Sequence, residues 1–394
     1  MAPKKKPTKA AAAKAREEWD AKFTKTYGEG VLDNTGKIKP YEVISTGVLS
    51  LDYSMGIGGY IEGRLYEIWG PDGIGKSTLV FQGVREAQKK HPDLMVAWID
   101  MEHAVDKPWM VAHGVNISKD ALRIITPESA EDVADQVKDC LRSGLFSFVV
   151  VDSIGAMIPE AEKEKDADQA VMANQAKIVT RMVKIAAVEA HNNSTVVIFI
   201  NQVRANLGYG ADTTTGGGFA LKHVTTGKLK LSRTGATPFQ VKIPGEEKPV
   251  RIGHEVAVMN ERNRVAPAYR RAQFVLMTTA SAKYGPVGIA AVDDAASIGL
   301  KTKVIGQRGG YYDLPNGETV QGRENVVEAL RADPDLVAQV REMALATLSG
   351  EIILGDEANP MSDAETIEVL RDSIDTLDGG ASLFQPTVIR GTED

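Results

Sequence analysis

Between residues 40 and 284, short runs of apolar residues alternate with longer segments in which apolar residues recur at helical spacing. The apolar runs include RLYEIWG, LMVAWID, FSFVVVDS and TVVIFINQ, and helical segments such as STLVFQGVREAQKK separate several of them. Alternating strands and helices are typical of a parallel sheet whose strands are joined by crossover helices. The pattern therefore predicts an α/β fold with a mostly parallel central sheet flanked by helices.

Changes in composition divide the chain into four predicted segments. Residues 1–39 begin with a Lys/Ala/Pro-rich tail, predicted to be disordered to about residue 15, and continue with a short amphipathic helix. Residues 40–284 form the α/β core, and residues 285–350 form a small α/β module that ends in the helix DPDLVAQVREMALATL. Residues 351–394 are predicted to be an acidic, disordered tail.

The distribution of charge changes what the total charge implies. The formal net charge of −7 argues by itself against nucleic-acid binding. Residues 351–394, however, carry eleven acidic and two basic side chains, a net charge of −9, which leaves +2 for the rest of the chain. Because local charge governs binding, the composition leaves nucleic-acid binding open.

Cysteine content and hydropathy indicate a reducing, aqueous compartment. The lone Cys140 excludes an internal disulfide and a four-cysteine zinc site, and its position in a predicted helix favours a small buried hydrophobic residue. No apolar run approaches the roughly 20 residues needed to cross a bilayer. The first residues lack the apolar stretch of a secretory signal. We therefore expect a cytoplasmic protein without a membrane partner.

The segment WGPDGIGKSTLV has the spacing of a phosphate-binding P-loop between a strand and a helix. Its glycines let backbone N–H groups point at phosphate oxygens, and the helix N-terminus adds positive potential. Lys76 is expected to contact the β- and γ-phosphates, and the Ser77 hydroxyl to bind Mg²⁺. The predicted nucleotide-binding residues are Gly70, Pro71, Asp72, Gly73, Ile74, Gly75, Lys76, Ser77 and Thr78.

Acidic residues end two other predicted strands. Asp152, which ends FVVVD, is expected to hold Mg²⁺ through water, although many buried strands end in an aspartate that caps the next helix. Asp100 and Glu102 follow the strand LMVAWID. We favour Glu102 as general base for the attacking water because Asp100 is still within the strand; the alternative is that one of these acids only caps a helix. A guanine-recognition motif Asn-Lys-x-Asp is absent, so ATP is the expected nucleotide.

A polar loop follows the apolar strand at residues 195–200. If that strand lies beside the Asp152 strand, Gln202 faces the γ-phosphate, and its amide can report whether the phosphate is present. The loop then supplies a cation, hydroxyl groups and bare backbone N–H groups, which suit a nucleic-acid backbone bound without sequence preference. The alternative is a surface loop without a partner. The residues concerned are Arg204, Thr213, Thr214, Thr215, Gly216, Gly217 and Gly218.

Six segments appear in the order found in strand-exchange recombinases of the RecA family. They are ISTGVLSLDYSMGIGGYIEGRLYEIWGPDGIGKSTL, IDMEHAVD, VVVDSIGAMIPEAE, IFINQVR, TTTGGGFALK and RNRVAPAYR. From about residue 17 to about residue 350 the chain resembles a divergent bacterial or phage member of this family. The resemblance implies a RecA-type ATPase core that uses ATP and Mg²⁺ to form a helical filament on single-stranded DNA.

The same resemblance implies pairing and strand exchange with a homologous duplex, in recombination, DNA repair and the SOS response to DNA damage. Two alternatives remain open: a hexameric helicase or loader motor with the same core, and a nucleotide-gated scaffold without turnover. The partners implied are single-stranded and homologous double-stranded DNA, further copies of this chain, a LexA-type repressor and a single-strand-binding protein. The implied location is the nucleoid, or the host cytoplasm for a phage gene.

Individual residues match functional positions of the family. Glu102 matches the catalytic glutamate and Gln202 the γ-phosphate sensor. Asp106 and Trp109 occupy adenine-contacting positions, with tryptophan where the family usually has tyrosine. The resemblance places ATP between subunits and makes Arg262 and Arg264 the cations supplied by the neighbour, where bacterial members generally carry lysines.

The resemblance also assigns DNA contacts. The second DNA loop of the family corresponds to the loop after Asn201 and adds Asn206 and Leu207 to the residues above. The first DNA loop corresponds to EKEKDADQAVMANQAK, which gives Met172, and the helix beyond it carries Lys177 and Lys184. In the C-terminal module, implied to capture duplex, Lys301, Lys303 and Arg308 are either DNA contacts or solvated surface charges.

Overall fold

The structure is a computed structural model that describes residues 9–27, 40–160, 169–204, 214–215, 218–235, 239–241, 248–281 and 284–349. The helices in this part of the chain are α1 Lys9–Tyr27, α2 Leu49–Met55, α3 Lys76–Lys90, α4 Lys107–Ala112, α5 Ala130–Ser143, α6 Gln169–Asn192, α7 Gly218–Val224, α8 Ala291–Lys301, α9 Arg323–Ala332 and α10 Pro334–Ser349. None of these helices combines the length and the hydropathy needed to span a membrane.

The strands of the described residues are β1 Val43–Ile44, β2 Tyr60–Ile61, β3 Leu65–Gly70, β4 Met95–Asp100, β5 Leu122–Ile125, β6 Phe146–Asp152, β7 Val196–Arg204, β8 Thr214–Thr215, β9 Gly227–Arg233, β10 Phe239–Val241, β11 Val250–Asn263, β12 Arg271–Met277, β13 Gly288–Ile289, β14 Gly306–Arg308, β15 Tyr311–Asp313 and β16 Thr319–Gln321. The four apolar runs singled out in the sequence correspond to β3, β4, β6 and β7. Those strand predictions are confirmed.

Two compact units divide the chain, Met1–Tyr41 and Glu42–Asp394. In the first unit, α1 already begins at Lys9, so the prediction of disorder to about residue 15 is wrong for residues 9–15. The physical reason is the sequence KAAAAKA, because alanine and lysine have high helix propensity. The rings of Trp19 and Phe23, one helical turn apart, stack at 4.7 Å.

The second unit is organised around one large sheet. Its strand order is β13-β12-β11-β9-β3-β7-β6-β4-β5, and the six neighbours from β9 to β5 run parallel to one another. On the β9 side, β11, β12 and β13 extend the sheet in antiparallel orientation. The prediction of a mostly parallel central sheet flanked by helices is confirmed.

The central strands are buried because helices cover both faces of the sheet. Every residue of β3 is buried, and one face packs against apolar residues of α3 while the other packs against α5 and α6. This double coverage explains why the strands read as continuous apolar runs. Cys140 lies in the α5 layer, where burial raises the pKa of its thiol to about 11.

Parallel strands bring their carboxyl ends to one edge of the sheet. The register pairs Gly70 of β3 with Gln202 of β7, and Asp100 of β4 with Asp152 of β6. The strand that carries Gln202 does lie beside the Asp152 strand, as expected. It is longer than expected, because β7 continues to Arg204, where it pairs with β8.

The C-terminal part of the second unit has its own apolar core. Helices α8, α9 and α10 pack around a small antiparallel sheet of β14, β15 and β16. Because β13 at Gly288–Ile289 still pairs with β12 of the large sheet, this packing begins with α8. The division between residues 284 and 285 stays a prediction.

Buried carboxylates tie this C-terminal part to α2. Asp52 is fully buried, and its Oδ2 lies 2.6 Å from Nη2 of Arg341 on α10. Asp294 of α8 accepts a hydrogen bond from the Ser50 N–H at 3.0 Å. Burial raises the pKa of Asp294 to about 6; the Ser50 hydrogen bond opposes the shift and the negative Asp52 adds to it. Asp294 therefore keeps its proton to a higher pH in the folded state than in the unfolded state.

The pKa of Asp294 predicts how Asp294→Asn changes stability. Between about pH 4 and pH 6 the folded state holds a proton that the unfolded state has lost, so the free energy of unfolding falls as pH rises. An asparagine side chain does not titrate, so the Asp294→Asn variant does not show this fall in the free energy of unfolding. The variant-minus-wild-type difference in unfolding free energy should rise by about 2 kcal/mol from pH 4 to pH 7 in urea titrations.

The exposed Asp335 of α10 offers a matched control, since Asp335→Asn removes a carboxylate from the same region. For Asp335→Asn, the variant-minus-wild-type difference in unfolding free energy should stay within about 0.5 kcal/mol of zero at pH 4 and at pH 7. A difference for Asp294→Asn that is flat with pH would show that this carboxyl does not titrate in that window.

Candidate active site

The P-loop joins β3 to α3 through a turn that requires glycine. Gly75 has φ of +102°, and a Cβ atom there would lie 2.6 Å from Cδ1 of Leu276. Gly73 also has positive φ, +65°. Helix α3 begins at Lys76 without a side-chain cap, so the N–H groups of its first turn are available to a ligand. This arrangement suits an anion such as phosphate.

The side chain of Lys76 is held inside the loop. It is 8% exposed and donates to the carbonyl oxygens of Gly70 at 2.9 Å and Pro71 at 3.0 Å. The Lys76 Nζ also lies 3.5 Å from Oδ1 of Asp72, and the Asp72 side chain is 81% exposed. A phosphate can replace these acceptors without moving the ammonium out of the site. Ile74, in contrast, is fully buried, so only its backbone faces the loop.

Ser77 and Asp152 form the predicted cation-binding pair. The Ser77 hydroxyl donates to Asp152 Oδ2 at 3.0 Å. Burial raises the pKa of Asp152 to about 7; the Ser77 hydrogen bond opposes this shift, while the negative Glu102 and Asp100 reinforce it. A cation stabilises the ionised carboxylate, and these oxygen donors fit Mg²⁺. The described residues contain no cluster of three His, Cys, Asp or Glu that could hold a metal.

Asp100 and Glu102 have different roles in the structure. Asp100 is 3% exposed, and its carboxylate accepts from the backbone N–H groups of Glu102 at 3.2 Å, Ala104 at 3.4 Å and Val105 at 3.0 Å. Asp100 therefore orders the loop between β4 and α4, whereas the N-cap of α4 is Asp106. The Glu102 side chain is left at the edge of the cavity.

Two donors hold the Glu102 carboxylate. The Ser153 hydroxyl donates to Glu102 Oε1 at 2.5 Å, and Gln202 Nε2 donates to the same oxygen at 2.8 Å. The predicted base and the predicted phosphate sensor are thus in direct contact. Ser153 was not singled out in the sequence, and nothing distinguishes it there from other serines that follow a strand.

A cavity of about 430 Å³ unites most of the predicted nucleotide residues. Its lining comprises P-loop residues together with Glu102, Asp152, Ser153, Ile200 and Gln202. An ammonium, an oxygen pair for a cation and a carboxylate therefore face one space. This combination can bind a polyphosphate and deliver a water molecule to it.

The predicted adenine contacts lie beyond that lining. Asp106 is the N-cap of α4, and its side chain accepts from the Trp109 N–H at 2.9 Å. The Trp109 ring packs edge-on against His113, with ring centroids 4.6 Å apart. Both residues follow the Glu102 loop directly, and their contact with adenine stays a prediction.

Arg262 and Arg264 lie at the opposite edge of the sheet. Arg262 pairs with Lys228 of β9, which pairs with Glu67 near the start of β3, while the P-loop begins at the other end of β3. At about 3.3 Å per residue, the three residues from Glu67 to Gly70 separate the level of Arg262 from the start of the P-loop by about 10 Å along the strand. In this structure both guanidinium groups donate to the His223 carbonyl oxygen at the end of α7. The structure does not bring them to the P-loop of their own chain.

A basic stripe runs along α6. Lys177 and Lys184 are exposed, and Arg181 lies exposed between them, beside an open depression of about 720 Å³. Arg181 is not among the predicted DNA contacts, although its spacing from Lys177 and Lys184 places all three on one helix face. Three cations on one face can bind a run of phosphates.

Most of the predicted second DNA loop lies outside the described residues, namely Asn206, Leu207, Thr213, Gly216 and Gly217. Only the backbone is described at five other predicted DNA contacts. Met172 is in α6, Arg204 in β7, Thr214 and Thr215 in β8, and Gly218 in α7. Their contacts with DNA stay predictions.

In the C-terminal module, the candidate cations Arg308 and Lys301 contact neighbouring side chains. Arg308 makes two hydrogen bonds of 2.8 Å to the carboxylate of Asp313. Lys301 Nζ lies 5.5 Å from the centre of the Tyr53 ring. Arg308 therefore fits the solvated surface pair better than a free DNA contact.

Comparisons with known proteins identify chains to which this one is similar. Residues 14–282 match the RecA N-terminal domain. Protein RecA of Nitrobacter winogradskyi is 33% identical over 357 residues, which cover 88% of this chain and 93% of that protein. Protein RecA of Rhodopseudomonas palustris is 32% identical over 361 residues, which cover 89% of this chain and 97% of that protein. A RadB recombinase structure is 25% identical, with a TM-score of 0.43, and covers 59% of this chain and 95% of that one.

The contacts of Asp100 predict the effect of Asp100→Ala. The change removes the shared acceptor of the Glu102, Ala104 and Val105 N–H groups, so their amide hydrogens should exchange at least about tenfold faster. Hydrogen exchange measured by mass spectrometry on the peptide covering residues 101–106 tests this expectation. Glu102→Gln is the matched control, because it leaves that acceptor in place. Equal exchange in both variants would show that Asp100 does not order the loop.

Proposed function

The chain belongs to the RecA family, and from this premise we propose that it is an ATP- and Mg²⁺-dependent recombinase that polymerises on single-stranded DNA. Members of the family are DNA-dependent ATPases that act in recombination and repair, and this chain is a RecA-like recombination protein. The observation that carries the detailed proposal is the Glu102 carboxylate, which faces Lys76 and the Ser77–Asp152 pair across one cavity. The helicase or loader alternative is not favoured by these relatives.

The residues around the cavity divide the work of ATP hydrolysis. The P-loop N–H groups and Lys76 bind the phosphates, and Ser77 and Asp152 hold Mg²⁺, which neutralises charge on the phosphates when bound. Glu102 accepts a proton from the water that attacks the γ-phosphorus, with the carboxylate oriented by Ser153. Adenine contacts by Asp106 and Trp109 are part of the proposal.

Gln202 links hydrolysis to DNA binding. Its amide donates to Glu102 in this structure, and a γ-phosphate offers a competing acceptor for the same N–H group. Gln202 lies in β7, and the polar loop that contains Asn206, Leu207 and Thr213 follows that strand directly. When the Gln202 amide exchanges Glu102 for the γ-phosphate as its hydrogen-bond acceptor, the position from which this loop starts therefore changes. We assign to the loop and to the basic stripe of α6 the binding of DNA phosphates without sequence preference.

The position of Arg262 and Arg264 supports assembly into a polymer. Cations at the edge opposite the P-loop suit the nucleotide site of a neighbouring subunit. A surface that contacts a different surface on the next copy generates an open helix unless the rotation closes a ring. Strand exchange with a homologous duplex, action in the cytoplasm and at the nucleoid, and contacts with a LexA-type repressor and a single-strand-binding protein belong to the proposal through the family resemblance.

Glu102→Gln tests the proposed mechanism. The amide cannot accept the proton of the attacking water, so kcat of ATP hydrolysis on single-stranded DNA should fall by about 10²–10⁴-fold. ATP-dependent binding to a fluorescent oligonucleotide should stay within about twofold of wild type, because the phosphate and cation ligands are intact. Steady-state hydrolysis and fluorescence anisotropy measure the two quantities.

The exposed Glu128 gives a matched control, since Glu128→Gln removes a carboxylate away from the cavity and should leave kcat unchanged. Loss of DNA binding in Glu102→Gln would mean that Glu102 is not the base. Wild-type hydrolysis without stimulation by single-stranded DNA would reject the proposed function. Closed rings in electron micrographs of the protein on DNA would favour the motor alternative.

Mixing two inactive variants tests whether each nucleotide site combines two subunits. Glu102→Gln lacks the base, and a double variant Arg262→Ala with Arg264→Ala lacks the cations for the neighbour. In a one-to-one mixture, about a quarter of the interfaces combine an intact base with intact arginines, so about a quarter of the wild-type rate should return.

The control mixture combines Glu102→Gln with Lys76→Ala. Both changes affect the same half of the site, so no interface is complete and hydrolysis should not recover. Absence of recovery in the first mixture, or recovery in both, would contradict a site shared between subunits.

A further inference from the structure

Behind the phosphate sensor, the sheet contains polar side chains where apolar ones would be expected. Asn201, which is fully buried, accepts a hydrogen bond from the Gln202 N–H at its Oδ1, at 3.0 Å. Asn201 Nδ2 donates to Oε1 of Glu67 at 3.0 Å, and Glu67 is also fully buried. The backbone of the sensor is therefore connected through one carboxamide to a carboxylate in β3.

The connection continues towards the other edge of the sheet. Lys228 Nζ in β9 lies 3.3 Å from Glu67 Oε2 and 4.8 Å from the centre of the Trp69 ring. The Trp69 indole N–H donates to Glu261 Oε2 in β11 at 3.0 Å. Lys230 completes this end, with Nζ 4.7 Å from the Trp69 ring centre and 3.7 Å from Glu261 Oε1.

The last residue of this series adjoins the proposed arginine pair. Glu261 is the residue skipped in the register between β11 and β9, which pairs Asn260 with Leu229 and Arg262 with Lys228. A bulge of this kind sets the direction of the residues that follow it. The contact of Trp69 with Glu261 therefore fixes the start of the segment that carries Arg262.

The burial of this series argues against a purely stabilising role. The side chains of Glu67 and Lys228 are 0% and 11% exposed, so both charges are largely removed from water. A buried ion pair is weak support for stability, because apolar residues of similar volume serve as well, whereas it does fix a specific arrangement. Glu67 and Lys228 balance in charge, and so do Lys230 and Glu261. The series therefore has no net charge, and each of its contacts joins one defined pair of side chains.

We propose that Asn201, Glu67, Lys228, Trp69 and Glu261, here called the polar network, position the arginine segment of β11 according to the state of Gln202. The network residues are positioning residues, because none of them lines the nucleotide cavity. The proposal rests on the proposed function for the role of Arg262 and Arg264. Through the polar network, the occupancy of a subunit's nucleotide site determines the position of the two arginines that this subunit presents to the next subunit.

Trp69→Phe interrupts the network at one hydrogen bond and keeps an aromatic ring in place. We expect ATP hydrolysis on single-stranded DNA to lose about tenfold in kcat, the effect of one hydrogen bond to a charged group, with KM unchanged. Trp98→Phe is the matched control: Trp98 is a fully buried tryptophan in β4 whose indole nitrogen has no hydrogen-bond partner in the described structure. It loses the same volume and should retain kcat within about twofold.

A second measurement does not depend on hydrolysis. Hydrogen exchange of the peptide covering residues 256–264 is compared with and without a non-hydrolysable ATP analogue and Mg²⁺, using the full-length protein. In wild type and in Trp98→Phe the analogue should slow exchange in this peptide and in the P-loop peptide. In Trp69→Phe the P-loop effect should persist, while the effect on residues 256–264 should be lost.

A double variant, Glu67→Gln with Lys228→Met, removes the buried charges without leaving one unpaired and keeps an acceptor for Asn201. It should reproduce the Trp69→Phe result. The proposal is overturned if the analogue leaves residues 256–264 of wild type unaffected, or if both network variants behave like Trp98→Phe. If wild type shows no DNA-stimulated hydrolysis but the exchange pattern is as expected, the proposed function fails and the network stands.

Discussion

The site depends on the parallel alignment of the six strands from β9 to β5. Because parallel strands end at the same edge, the P-loop after Gly70, the acids Asp100 and Asp152 and the sensor Gln202 meet without long connecting loops. The antiparallel β11 reverses this direction and carries Arg262 to the opposite edge. One constraint of sheet geometry therefore both builds the cavity and separates it from the arginines of the same chain.

The sequence predicted those elements whose signal lies within a short stretch of neighbouring residues. Apolar runs identified the central strands, and the P-loop spacing identified the residues that surround the phosphate cavity. The separate roles of Asp100 and Glu102 follow from where three backbone N–H groups point, and the sequence alone could not establish this. Ser153 and Glu67 gave no signal because their partners are distant in sequence. The first turns of α1 follow from the helix propensity of alanine, which a low-complexity composition conceals.

Buried carboxylates with basic partners lie where different parts of the molecule pack against each other. Asp52 and Arg341 connect α2 with the C-terminal module, and Glu67 and Lys228 connect β3 with β9, the parallel strand that adjoins the antiparallel extension. Removing one member of the Glu67–Lys228 pair costs about 3–5 kcal/mol, because the remaining charge stays buried, whereas the intact pair adds little net stability. These pairs therefore specify how the parts fit together more than they strengthen the fold.

In the proposed assembly, each subunit reads one nucleotide and completes the site of another, which makes the assembly directional. The sensor of a subunit lies at one sheet edge and its arginines at the other, so a signal between them must cross β3 and β9. Apolar packing alone has no contact that senses a change at Gln202, while hydrogen bonds fail when their geometry shifts. The Gln202 N–H donates to Asn201 Oδ1 at 3.0 Å, so the proposed coupling through the sheet begins at the Asn201 carboxamide.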